Sequence, residues 1–177
     1  NIAENTVVYA KYVNAFVFSP DGEGGYSVKA SKTLGYYTST IRIPAKYNEL
    51  PVRSIAEYGF KDHPYLTSVT LPDTLESIPT TAFDGCNRIE AFHIAETDHS
   101  AGVFSEVDGS IVMKLYGQTT LHLIPAAFTG TFRVPAGVST IGSRTFNNAK
   151  FDTVVIPASV TNIEADAFVN CANLRMV

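Results

Sequence analysis

The feature that most constrains this chain of 177 residues is that it repeats itself. Four segments align. Val52-Arg53-Ser54-Ile55 leads to Gly59-Phe60 and then to Leu66-x-x-Val69-x-Leu71-Pro72. Leu75-Glu76-Ser77-Ile78 leads to Ala82-Phe83-Asp84-Gly85-Cys86 and then to Ile89-x-x-Phe92-x-Ile94. Val138-Ser139-Thr140-Ile141 leads to Thr145-Phe146 and then to Phe151-x-x-Val154-x-Ile156-Pro157. Val160-Thr161-Asn162-Ile163 leads to Ala167-Phe168-Val169-Asn170-Cys171 and then to Leu174-x-x-Val177. The phenylalanines step by 23 residues (60 to 83) and by 22 (146 to 168), and the isoleucines ahead of them keep the same steps. A period of this length means a stack of similar coils.

A 22- to 23-residue period that carries Leu-x-x-Leu-x-Leu is the signature of a leucine-rich repeat. The physics follows from the pattern. Side chains alternate across a strand, so the apolar positions turn inward and the residues between them point out. One coil cannot bury its own apolar face, whereas stacked coils share a core and a parallel ladder with strands about 4.8 Å apart. Pro44, Pro72, Pro135 and Pro157 follow the strands, where a residue without an N–H closes the ladder. The Ala-Phe pair falls where the chain curls back, and its ring is expected to plug the core. The 12 Ile, 17 Val and 18 Thr, against 9 Leu, favour strand over helix. The expected fold is an α/β leucine-rich repeat solenoid, strand-rich, with short helical turns on the convex side and an N-terminal β-hairpin cap.

The period also divides the chain. Residues 1–38 carry no repeat, and Asn14–Phe18 and Tyr26–Ala30 flank a turn-rich Ser19–Gly25 stretch. They are read as an N-terminal β cap over the first coil, since an uncapped array exposes apolar surface. The array occupies 39–177, with units near 41–71, 72–94, 135–156 and 157–177. An inserted β-hairpin unit lies at 95–134, where Phe104–Val107, Asp108-Gly109 and Ile111–Lys114 spell a hairpin with a type I′ turn. Leu121–Ile124 is read as the strand that follows. The last run stops at Val177, short of its sixth position. Either the natural protein continues or the chain is cut there. An open last coil would leave an unpaired edge able to pair with a second copy.

Composition narrows the function. Hydrophobic residues make up 45% of the chain, enough for a core. No apolar run reaches the length of a membrane span. A net charge of −4 argues against nucleic acid, whose phosphates need a basic face. Cys86 and Cys171 hold the same slot in different coils, at least two ladder steps and more than about 9 Å apart. A disulfide wants α-carbons within about 7 Å, so two buried, reduced thiols are expected.

The units resemble the BspA-like leucine-rich repeats of bacterial surface antigens, also called the Treponema pallidum type. The fullest match is Ile156-Pro157 through Val160, Ile163, Ala167-Phe168, Cys171, Leu174 and Val177. The segment Ile43–Val52 and the hairpin Val107–Val112 also look like parts of that family, so the resemblance covers 39–177. His63 and Ala149 depart from it, standing where the pattern has Cys. The resemblance implies a secreted or surface-anchored, adhesin-like protein without catalytic residues.

A search for chemistry agrees. His93, Glu96, Asp98 and His99 lie close in sequence, but no second element supports a metal site. His63 is read as a turn residue. Asp21 and Glu23 lack the spacing of a calcium loop, and Gly22–Gly25 lacks the Lys-Ser/Thr of a phosphate loop. Ser105 and Ser110 lack a nucleophile elbow. The reading is therefore no enzyme, no metal and no cofactor. Outward strand positions are the better place to look. The third position gives Ser68, Ala91, Thr131 and Thr153, and the fifth gives Thr70, His93, Arg133 and Val155, with Glu90 adjacent. These should line the concave face in two rows, the usual binding surface of a solenoid. Tyr9, Tyr12, Tyr26, Tyr36, Tyr37 and Tyr47 crowd the N-terminal third and are expected to pack the cap, or to form an exposed patch for a glycan or protein. The expected function is an extracellular adhesion-type module that binds a host or matrix protein or a glycan. The alternative is a structural spacer without a ligand.

Overall fold

A computed structural model describes residues 15–35, 37–95 and 102–177. Its cap is an antiparallel hairpin of β1 (Phe16–Pro20) and β2 (Tyr26–Ala30). Phe16 and Val28 turn into the core, and β2 pairs in parallel with the first coil. Tyr9, Tyr12, Asn14 and Tyr36 lie outside the described residues.

The repeat segments then lay down two kinds of strand per coil. The Leu-x-x-Val-x-Leu segments give β3 (Thr40–Arg42), β6 (Ser68–Pro72) and β7 (Ala91–Ala95), paired in parallel. A short β4 (Lys46–Tyr47) pairs with β5 (Leu50–Ile55). That β5 belongs to a second ladder, built from the Val-x-x-Ile segments, and Ser54 bridges to Ser77 in the next coil.

The inserted unit is a three-stranded meander, larger than the expected hairpin. Its strands are β8 (Phe104–Val107), β9 (Ser110–Leu115) and β10 (Gln118–Leu123). Both turns have two residues in the left-handed region, Asp108 (φ 50°) with Gly109 (72°) and Tyr116 (50°) with Gly117 (76°). That is the type I′ geometry whose twist suits a two-residue hairpin. The sequence reading gives Leu121–Ile124 as a strand without placing it in a ladder. In the structure β10 runs beside the Val-x-x-Ile ladder, with Leu121 opposite Ile141 of β12 (Thr140–Ile141). The outward ladder resumes later, as β11 (Thr131–Arg133) paired with β13 (Thr153–Val155). β12 pairs in turn with β14 (Asn162–Ile163).

The expected helical turns do not form: no helix occurs among the described residues. The convex side is built of hydrogen-bonded turns, such as Lys61 N–H to Tyr58 O and Val169 N–H to Asp166 O. The cause is backbone handedness. Tyr58 and Asp62, Arg144 and Asn148, and Asp166 and Asn170 all sit at φ between 53° and 59°. Each pair brackets a coil's phenylalanine, so too few right-handed residues stand in succession for an i→i+4 helix to propagate.

Two apolar clusters fill the solenoid. The first holds Phe60, Val69, Leu71, Phe83 and Phe92, and the second Phe132, Phe146, Phe151 and Val154. Rings meet from coil to coil: Phe60 stacks on Phe83 at 5.4 Å and Phe132 on Phe151 at 5.5 Å, and Phe146 lies tilted against Phe168 at 4.8 Å. The meander separates the clusters and serves both. Ile111 faces the first and Val112 the second, as alternation demands. A bulge between Leu121 and Leu123 then sends Leu121 to the second cluster and Leu123 to the first.

The Tyr116 turn carries backbone strain, because such positions favour Asn, Asp or Gly. Its ring is 96% exposed and packs on nothing that a substitution would lose. Tyr116→Asn is therefore expected to stabilise the fold by about 1 kcal/mol. Urea unfolding checks this, as a raised midpoint at unchanged slope.

Candidate functional site

The ladders fix which side chains share a row. Arg42, Thr70 and His93 stand opposite one another on β3, β6 and β7, with Thr40, Ser68 and Ala91 in the companion row. Thr131 and Thr153, and Arg133 and Val155, do the same on β11 and β13. Glu90 is exposed just before β7, where its N–H donates to Thr67 O. The structure thus brings the predicted residues together in two groups, Ser68, Thr70, Glu90, Ala91 and His93 at β6 and β7 and Thr131, Arg133, Thr153 and Val155 on β11 and β13, not in one continuous strip. The tip of the β8–β9 hairpin lies at the edge of β7. Gly109 O accepts the Phe92 N–H at 2.9 Å. A Cβ on Gly109 would lie 3.5 Å from the Cβ of Ala91, so the tip sits close against the strand.

Glu106 of β8 completes this junction. One carboxylate oxygen accepts the Ile94 N–H at 3.2 Å, and the other lies 3.3 Å from His93 Nδ1. The free edge of β7 is therefore capped by a side chain where the next coil is displaced. His93 thus pairs with an element that sequence proximity could not indicate. Glu96, Asp98 and His99, the other members of that sequence cluster, lie outside the described residues. No group of three or more His, Cys, Asp or Glu is close enough to hold a metal among the described residues.

Arg42 belongs to the outward row and was missed. Ile41-Arg42-Ile43-Pro44 has the same spacing as Val69-Thr70-Leu71-Pro72, so the signal was present in Pro44. The cap loop is held internally. Asp21 accepts the Glu23 and Gly25 N–H groups at 2.8 and 2.9 Å, which pull its carboxyl below the usual range. Arg53 chelates Glu76 at 2.7 and 2.9 Å and donates to Glu23 O at 2.8 Å. The tyrosines divide. Tyr26 and Tyr47 pack with Phe18 on the cap, whereas Tyr37 is 76% exposed and contacts Tyr65.

Both cysteines are free. Each Sγ–H donates to the carbonyl of the preceding coil's phenylalanine, Cys86 to Phe60 O and Cys171 to Phe146 O, both at 3.0 Å. Burial pushes the Cys86 thiol up to about 11, so it is no nucleophile at neutral pH. Cys171 is half-buried, less covered than its repeat slot led one to expect.

Four further contacts cross the gap between the clusters. Arg144 pairs with Asp84 at 3.2 Å, Lys150 Nζ donates to Asn87 O at 2.6 Å, and Ala127 N–H donates to Ile89 O at 2.8 Å. His122 Nε2–H donates to Ile78 O at 2.7 Å. Burial holds the His122 pKa below its ordinary value of 6.5, and His63 is shifted the same way by burial. The unfolded chain takes up these protons near pH 6.5 and the folded chain resists them. Their contribution is thus complete above about pH 6.5 and is lost as pH falls below it. His122→Gln keeps a donor without a titrating group. It is expected to flatten part of that acid-side loss in unfolding measured from pH 8 to 5. An unchanged pH profile would contradict this role for His122.

The fold defines a class: a capped β-solenoid of short repeats that displays polar side chains in register on rigid strands. The sequence model of the BspA type leucine rich repeat region matches residues 53–175, in six copies. The chain belongs to that family. No curated protein matches its sequence. Among solved structures it resembles a T. pallidum leucine rich repeat protein at 21% identity and TM-score 0.53, covering 92% of this chain and 67% of that one. The pneumococcal vaccine antigen PcpA is similar at 16% identity and TM-score 0.59, over 78% of this chain. A leucine-rich repeat protein of Bacteroides ovatus follows at 20% identity and TM-score 0.55, over 93% of this chain. The chain spans only 38% and 40% of the last two. These likenesses establish the fold.

Proposed function

We propose that this chain is a non-catalytic, extracellular binding module of a bacterial surface protein, adhesion-type, which engages a host or matrix protein or a glycan. The observation that carries the reading is the strand ladder. It holds Arg42, Thr70 and His93 in one row and Arg133 beside Val155 in another, on strands whose opposite faces are buried. A backbone fixed in this way needs no ordering when a partner docks, which favours affinity. The family, and the description of PcpA as a vaccine antigen, support a place at the cell surface. No helix of the described residues is long and apolar enough to cross a membrane.

The small outward residues Ser68, Ala91, Thr131 and Thr153 favour a second reading, a spacer that carries no ligand. An array of extracellular-matrix proteins and glycans, probed with the wild type and with Thr70→Glu, Arg133→Glu, separates the two. Binding that the double variant loses by at least tenfold is the expected result. Binding that survives moves the site off the ladder, and no binding at all supports the spacer.

A further inference from the structure

A third row crosses the coils outside the ladder. Three residues ahead of the first outward strand position stand Tyr37, Tyr65, Arg88, Phe128 and Lys150, one per coil. Main-chain bonds keep the segments in step within each group of coils, Thr67 N–H to Ser39 O and Glu90 N–H to Thr67 O before the insert and Asp152 N–H to Gly130 O after it, whereas across the insert the Ala127 N–H to Ile89 O bond is offset by two positions. On the coils before the insert the side chains form a connected surface. The Tyr37 and Tyr65 rings lie 4.9 Å apart, and the Arg88 guanidinium stands 5.8 Å from the centre of the Tyr65 ring. Phe128 packs edge-on against Phe132 at 5.3 Å and is 39% exposed. Arg88 and Lys150 are exposed, and neither has a carboxylate within ion-pair distance among the described residues.

Exposed aromatic rings in contact, joined by Arg, have the composition of an interaction hot spot. The ladder sets the chemistry of what fits. Successive coils advance about 4.8 Å, whereas an extended peptide advances about 3.3 Å per residue and alternates its side chains, so it would fall out of step. A linear polysaccharide can set one sugar ring on each coil, its apolar C–H face against an aromatic ring. The adjoining row toward the strands carries Ser39, Thr67, Glu90 and Asp152, so cations and carboxylates lie side by side. Hydroxyl groups donate and accept, and satisfy both. A polyanion would meet Glu90, Asp152 and a net charge of −4.

We infer that this rim is a strip for a linear, neutral polysaccharide lying along the solenoid axis. The inference rests on the reading of the chain as a binding module and places a glycan site beside the ladder. It is tested with hydroxyethylcellulose, glucomannan, arabinoxylan and laminarin as probes, and with polygalacturonate and polyglutamate as charged comparators. Affinity electrophoresis and calorimetry read the outcome. At least one neutral polysaccharide should bind. Tyr37→Ala, Tyr65→Ala should weaken it at least tenfold with thermal unfolding unchanged, Tyr65→Phe should retain it, and Tyr116→Asn, at the exposed β9–β10 turn, should leave it unaffected. The inference is overturned if no neutral probe binds, if the tyrosine variant binds normally, or if polyglutamate or polygalacturonate binds as well. Failure of every glycan, with matrix-protein binding still lost in the ladder variant, removes this site and leaves the module reading standing. Loss of all binding removes both.

Discussion

Everything in this molecule depends on one deficit: a coil of 22 or 23 residues cannot bury its own apolar face. The neighbours supply what it lacks. Phe60 lies on Phe83 and Phe146 against Phe168 of the next coil, and each Cys thiol donates to a carbonyl one coil away. Aromatic contacts of this kind are worth about 0.5–1.5 kcal/mol beyond the area they bury. Stability is thus held between coils, and outward side chains can vary without disturbing it. That separation lets a repeat array carry a surface for recognition on a core that never changes pattern.

The insert is the test of that logic. A meander that interrupts the period ought to divide the array, and the apolar core does fall into two clusters. Side chains replace the missing ladder bonds. Glu106 caps the Ile94 N–H, His122 reaches Ile78 O, and Arg144 and Lys150 return to Asp84 and Asn87 O. The bulge at Leu121–Leu123 lets one strand feed both clusters. The seam is polar and holds the buried His122, which makes it a place where protonation reaches the fold.

Repeat, family and strand positions were legible because they rest on periodic burial, which a single sequence displays directly. The helical turns were not. Composition hides backbone handedness, and Tyr58, Arg144 and Asp166 give no sign that they adopt φ near 55°. The outward rows were legible except Arg42, whose coil begins the array and has a longer connection to the next Val-x-x-Ile segment. The break between the rows was not, because it depends on where a hairpin tip lies in space. The rim row escaped notice for a similar reason. Its members are spaced like the repeats but vary in type, and only folding brings Tyr37, Tyr65 and Arg88 into contact.

A surface displayed in register is useful only if the scaffold beneath it is one rigid body, and that is the central claim. Native-state hydrogen exchange tests it most directly. The amides of Phe60 and Phe146 report the two clusters, and those of Phe92 and Ile94 report the seam. With rising denaturant, all four should converge on one opening free energy. If the Phe92 and Ile94 amides open separately at lower free energy while Phe60 and Phe146 stay protected, the insert is a hinge and the claim fails.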